Sequence, residues 1–421
     1  MEHIENIQPI KANKSSKSKS KNKPSNQKWA ILSIASIPLV MTLGNSMLIP
    51  VLPAMERSLG ITPFQSSMII TVYSIVAIFL IPVAGFLSDH IGRKKVIIPS
   101  LIITGVGGFV SAWASWRLDD PYWVILMGRA LQGVGAAGAF PIVMPLVGDM
   151  FKSEEEVSSS LGIIETSNTL GKVLSPILGA FLAGFFWFIP FFSIPIFCLI
   201  SILLMFFLVK TPNKREKPIP FKQFVANIKE TFKHNWKWLD AIFLIGIILM
   251  FVLFGVLFYL SDTLEKVYEV KDVKKGLLLA IPLGALCIAS YITGKLIKEN
   301  KVLMKWVTFG GIVLLAVSIA MLSFSKAMWF MLGLFVLGGI GIGVGLPCLD
   351  AFITSGIEKK ERGTVSSIYS SMRFIGVAAG PPIMAIMMKH AESFLFYILS
   401  GLSIVAALAT FMAIKPESEE E

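Results

Sequence analysis

The chain has 421 residues, of which 54% are apolar and only 15% charged, with a formal net charge of +11. So few charges cannot cover a water-facing surface of this size, which excludes a soluble multidomain protein and makes lipid the main solvent. The cationic excess fits contact with anionic lipid and makes no case for nucleic acid.

In chain order, residues 1–28 are rich in Lys and Ser and read as a disordered tail; no small-residue cleavage site marks them as a signal peptide. Twelve mostly apolar stretches follow, near 29–52, 64–87, 96–116, 122–147, 159–188, 191–209, 239–260, 276–297, 302–324, 328–354, 364–388 and 394–414. Each approaches or exceeds the ~20 residues that a spanning helix needs. Backbone groups in lipid must be satisfied within their own segment, so runs of this length are helices and not barrel strands. The expected organisation is a six-helix bundle at 29–209, a polar linker at 210–238, a second bundle at 239–414, and an acidic tail at 415–421. Apolar residues recur at helical spacing in the linker, from Phe221 to Phe232, as in an amphipathic helix lying on a membrane face.

Most of the 38 Lys and Arg fall in the terminal tail, the linker and alternate loops. The positive-inside rule then places both termini in the cytoplasm. The three cysteines, Cys198, Cys287 and Cys348, all lie in apolar stretches, where buried thiols are expected and disulfides are not. No metal-ligand spacing surrounds them, and neither a metal nor a cofactor is expected.

Four motifs carry more specific information. The loop after the second stretch reads Gly85-Phe-Leu-Ser-Asp89-His-Ile-Gly92-Arg93-Lys94-Lys95. Gly85 admits a close helix neighbour, Asp89 can cap a helix or pair with Arg93, and Gly92 permits a tight turn. The fourth stretch contains Arg129-Ala-Leu-Gln132-Gly133-Val-Gly135-Ala-Ala-Gly138, whose small residues read mainly as a packing surface. The fifth contains Gly171-Lys172-Val-Leu-Ser175-Pro176-Ile-Leu-Gly179-Ala180, a kinked and close-packed pattern. Gly376, Gly380 and Pro381 repeat it in the eleventh stretch, and the first stretch ends on Met47-Leu-Ile-Pro50-Val-Leu-Pro53.

The first of these resembles the signature loop of the major facilitator superfamily, and the next two resemble motifs of its twelve-helix drug:proton antiporters. The resemblance implies an all-α membrane protein with two pseudo-symmetric bundles of six helices and a substrate site between them near mid-membrane. It implies that Gly85, Asp89, Gly92 and Arg93, with Asp149 at the end of the fourth helix, form a conformational latch. It also implies that Gly171, Ser175, Pro176, Gly179, Gly380 and Pro381 form the helix-packing antiporter motif, with Ser175 replacing a glycine. Members often carry an acid on the first helix where this chain has Asn45.

Ionisable groups inside spans are costly and are functional by default. Arg129, Glu165, Lys172 and Arg373 are the four that lie deep within them. Glu165, Asn168 and Lys172 share one helical face, and Arg373 stands opposite Asn168 in the repeat. Glu165 is the expected proton carrier, with Arg129 and the reserve acid Asp350 as partners in proton coupling; a structural ion pair between helices is the alternative role. Asn45, Tyr73, Asn168, Lys172, Tyr259, Tyr369 and Arg373 are expected to line the substrate cavity, with Phe140, Phe258 and Tyr291 as further aromatic candidates. Three deep cations against one acid suggest an anionic or zwitterionic substrate.

An ATP-driven pump would need a phosphate-binding loop, and none occurs. A membrane enzyme would need a catalytic cluster, but His3, His90, His234 and His390 all fall in tails or loops. The expectation is therefore a monomeric proton-coupled antiporter of the plasma membrane. It would export small amphipathic compounds such as drugs or siderophore-like anions, catecholate siderophores being cargo of some exporters in the branch. Proton symport of an organic anion is the alternative.

Overall fold

The computed structural model describes residues 24–151, 154–209, 221–297, 300–357 and 362–414. Most of the tail expected at 1–28, the first part of the linker and the acidic tail at 415–421 lie outside these residues. Among them all regular structure is helical.

In the first half, α1 (Pro24–Ser46) passes through a short 3-10 turn (Ile49–Val51) into α2 (Leu52–Leu59), and α3 (Pro63–Ile91) returns. It is followed by α4 (Arg93–Arg117), α5 (Tyr122–Ala139), α6 (Val143–Met150), α7 (Glu154–Ala183) and α8 (Ile189–Leu208). The second half holds α9 (Phe221–Lys266), α10 (Asp272–Leu296), α11 (Lys301–Met321), α12 (Met328–Gly356), α13 (Arg362–His390) and α14 (Leu395–Ala413). Pairs α1–α2 and α5–α6 each make one crossing, so the helices correspond to the twelve expected spans. The end of the bundle at which α1 begins is the near end; the other is the far end.

Eleven crossings among the described residues are long and apolar enough to span a membrane. Helix α7 has 30 residues but is diluted by Glu165, Asn168 and Lys172. It nevertheless packs inside the bundle, between α1 and α10. The linker differs from expectation, because its helix continues without a break into the seventh span, giving α9 46 residues and no internal proline.

The two halves repeat each other in packing. Helix α1 packs on α7 as α9 packs on α13, and the halves meet where α3 packs on α13 and α7 on α10. Glycine makes these contacts possible. A Cβ on Gly171 would stand 3.1 Å from Thr42 Cβ of α1, and one on Gly179 would run into the Met47 carbonyl oxygen. In the other half, a Cβ on Gly380 would lie 2.8 Å from the Phe251 carbonyl oxygen of α9. Within α5, Gly128, Gly135 and Gly138 press on Ser111, Thr104 and Ser100 of α4, so this stripe is indeed a packing face. Gly179→Val is therefore expected to cost about 1–3 kcal/mol by overpacking. The measurement is a thermal shift in detergent, and an unchanged midpoint would show that α1 and α7 can separate freely.

Candidate functional site

Three charge clusters lie along the interior, one at the near end, one at mid-depth and one at the far end.

At the near end, Gly92 takes φ +103°, which ends α3 and starts α4 in a tight reversal. The turn brings Arg93 against Asp89, and Arg93 also reaches Asp149 of α6 at 3.2 Å and donates to Ser88 Oγ at 2.6 Å. Gly85 faces the other half, since a Cβ there would lie 3.2 Å from Ser367 Oγ of α13. The expected latch residues are thus adjacent in space. Lys94 donates to the Phe206 and Val209 carbonyls, capping the C-terminus of α8.

At mid-depth, Arg129 is 0% exposed. Its guanidinium donates to the Ile69 carbonyl at 2.7 Å, to the Gly44 carbonyl at 3.2 Å, to Gln132 Oε1 at 2.6 Å and to Asn45 Oδ1 at 2.6 Å. It also lies over the Tyr73 ring at 4.6 Å. Every one of these acceptors is neutral. Asn45 and Tyr73, expected to line the substrate cavity, hold Arg129 inside the first half. A lysine has no planar fork with which to serve this ring of acceptors. Arg129→Lys is expected to destabilise the protein by about 2 kcal/mol or more, each buried charged hydrogen bond being worth roughly 1.5–3 kcal/mol. Detergent melting curves measure this, and a native-like midpoint would show that the fork is dispensable.

Glu165, Lys172, Asp350 and Arg373 lie within electrostatic reach of one another across the two halves. Arg373 donates to Asp350 Oδ1 at 3.3 Å and lies 5.5 Å from the centre of the Tyr369 ring. Tyr369 is buried, stacks on Phe243 and has no hydrogen-bond partner for its hydroxyl among the described residues. Glu165 Oε1 accepts from Asn168 Nδ2 at 3.2 Å, and Asn168 Oδ1 accepts from Thr42 Oγ1 at 2.6 Å. Lys172 has no hydrogen bond or ion pair among the described residues. It borders a tight, mostly apolar cleft between the halves, whose other walls include Ser46, Ile49, Leu253, Phe254 and Leu283.

The structure revises the charge count made from sequence. Asp350 belongs to this group and offsets Arg373, leaving two acids against two bases, with Arg129 set apart among neutral oxygens. Three aromatic expectations are also revised. Tyr259 packs edge-on against Phe396, on the side of α9 facing α14. Tyr291 is exposed under Lys295, and Phe258 is packed in the core. All three cysteines are free, and Cys198 and Cys348 are buried as expected.

The far-end cluster was not anticipated. Helix α9 stays helical past the apolar run that ends at Leu260 and buries Asp262 and Glu265 along with Leu264. Glu265 pairs with Lys275 at the start of α10 and with Arg57 of α2. Lys266 reaches Glu56 at 2.9 Å and Asp262 at 2.5 Å, while Ser66 donates to Glu56 at 2.6 Å. A usable signal existed in the i,i+4 spacing of Asp262 and Lys266, which continues the phase of the helix.

This arrangement, two glycine-packed bundles of six crossings that meet around mid-depth charges, is that of a secondary transporter, and the chain belongs to the Major Facilitator Superfamily, whose family model matches residues 34–381 and 301–421. Among relatives, it is 53% identical to the bacillibactin exporter of Bacillus subtilis over 93% of this chain and 98% of that protein. It is 24% identical to multidrug resistance protein 2 of Bacillus subtilis, over 94% and 97% of the two chains. It is equally 24% identical to the quinolone resistance protein NorA of Staphylococcus aureus, over 87% and 92%. Among solved structures, the D-xylose-proton symporter superposes with a TM-score of 0.76 at 14% identity, over 94% of this chain and 99% of that one. The human organic anion transporter MFSD10 does so with a TM-score of 0.74 at 17% identity, over 92% and 100%. These two likenesses bear on the fold alone.

Proposed function

We propose that this protein is a plasma-membrane exporter that drives a siderophore-type anion out of the cytoplasm in exchange for protons. The observation that carries the reading is the end-to-end 53% identity with a bacillibactin exporter. The mid-depth charges supply a mechanism for it. With the termini cytoplasmic, the near end faces the cytoplasm and the far end the exterior.

Glu165 is the proton carrier. Its carboxylate has one weak neutral donor and no ion-pair partner among the described residues, so it is free to exchange a proton as the halves rock. Asp350 is committed to Arg373 and serves to hold that cation at the interface. Lys172 supplies a positive charge at the seam between the halves, where an anion can be met once the seam opens. Anion arrival at Lys172 disfavours the ionised form of Glu165, and by reciprocity protonation of Glu165 frees Lys172 for the anion and strengthens its binding. The two ligands therefore influence one another through one short stretch of α7. The chain is expected to work as a monomer, with the six-plus-six organisation at 29–209 and 239–414.

Inside-out vesicles with an acid interior test the reading. Adding bacillibactin outside should dissipate the gradient as substrate enters and protons leave. Proton symport instead predicts no dissipation from this side, but bacillibactin uptake with protons into right-side-out vesicles. A compound-independent absence of proton movement in both orientations would exclude proton coupling.

A further inference from the structure

The far-end charges do not belong to the substrate site, and their connectivity is informative. Six charged residues meet there, three acids (Glu56, Asp262, Glu265) and three bases (Arg57, Lys266, Lys275). The first half supplies Glu56 and Arg57, and the second supplies the other four, so each half's contribution is neutral. Two pairs cross between the halves, Arg57–Glu265 and Glu56–Lys266. Two lie within the second half, Asp262–Lys266 and Glu265–Lys275. Ser261 adds a cross-half hydrogen bond to the Ile49 carbonyl at 3.0 Å.

We infer that the two cross-half pairs form a latch that closes the far-end exit of the cavity, and that the two within-half pairs are what allow it to open. A buried ion that loses its partner carries a large desolvation penalty. Here, when the halves part, Lys266 keeps Asp262, Glu265 keeps Lys275, and Glu56 keeps its hydrogen bond from Ser66. Arg57, whose side chain is already more than half exposed, turns to water. Of the buried charges, Glu56 alone gives up its counter-ion, and it keeps the Ser66 donor, so the latch can be both selective when closed and quick to release. Cutting the cross-half pairs should therefore favour the open exit without unfolding either half. The inference rests on the reading of the chain as a transporter with two rocking halves, and goes beyond it in assigning the exit.

The test needs no substrate or proton gradient, so its failure is distinct from failure of the export reading. Ser46 borders the cavity behind the latch. A Ser46→Cys reporter is placed in a chain with Cys198, Cys287 and Cys348 changed to Ala, in right-side-out vesicles. A membrane-impermeant maleimide is then added outside. The Glu56→Gln, Arg57→Gln double variant should label about tenfold faster than the latch-intact parent. Arg57→Lys should restore slow labelling, and Asp262→Asn, which leaves both cross-half pairs in place, should stay slow. Labelling from the near face of inverted vesicles checks that each variant is folded. Equal rates for parent and double variant in folded protein would overturn the latch, as would equal acceleration by Asp262→Asn.

Discussion

Glu165→Gln should reduce bacillibactin-driven collapse of the pH gradient to the rate seen without substrate, while Asp350→Asn leaves a measurable fraction. The amide keeps the volume of Glu165 and its neighbour Asn168, but it cannot take up or release a proton. A coupled antiporter that has lost its exchangeable site retains, at most, passive exchange. The expected loss in the coupled rate is at least about 100-fold, which corresponds to about 2.7 kcal/mol of lost coupling. Asp350→Asn has a different consequence. It leaves Arg373 without the acid 3.3 Å away, and uncovering one partner of a half-buried pair is costly. Reduced stability and expression are therefore expected from that variant, with proton movement still following substrate in the protein that folds. If the gradient still collapses in Glu165→Gln and fails only in Asp350→Asn, the two acids exchange roles.

The second large effect is expected at Lys172. Lys172→Met keeps apolar bulk but removes a positive charge at the seam between the halves that has no ion pair among the described residues. A charged contact in a largely apolar pocket is worth about 2–3 kcal/mol, so KM for bacillibactin should rise by roughly 30- to 150-fold. Lys172→Arg should keep most of the affinity. A neutral or cationic dye, if carried at all, should bind the Met variant as well as the parent or better. Equal loss for anionic and cationic compounds would show that Lys172 shapes the cavity and does not choose the charge of its contents. Both variants are read in the same vesicles, so chemistry and folding separate cleanly.

The architecture was largely legible from sequence because long apolar runs admit few alternatives in lipid. The pairing of Asp89 and Arg93 with Asp149 was legible through the resemblance of the loop to the superfamily signature, since a turn by itself does not say which distant acid will meet it. The mid-depth group was only half legible. Helical spacing put Glu165, Asn168 and Lys172 on one face, but nothing in the chain shows that Asp350 turns towards Arg373 and not into the near-end solvent. Asn45 and Tyr73 were assigned to the cavity because they are polar or aromatic at the right depth. Depth is a property of position along one helix, whereas the partner, Arg129, comes from another. The neighbour of Tyr259, Phe396, was not legible for the same reason, since periodicity gives a face without saying which neighbour the face meets. The far-end cluster was lost because a span is judged to end where hydropathy falls, and Asp262, Glu265 and Lys266 lie just past that point. Opposite charges from another helix make burial there affordable.

The length of α9 has a practical side. At about 1.5 Å per residue, its 46 residues span about 70 Å, more than the hydrocarbon thickness of a bilayer. One end carries Asp262, Glu265 and Lys266, and the other emerges where the cytoplasm begins in the proposed orientation. A helix without an internal proline transmits tilt along its length, so a small angular movement at the exit becomes a displacement of several ångströms at the opposite tip. A spin label or fluorophore at that tip would work as the long arm of a pointer, reporting from the cytoplasmic side on an event that takes place at the external face.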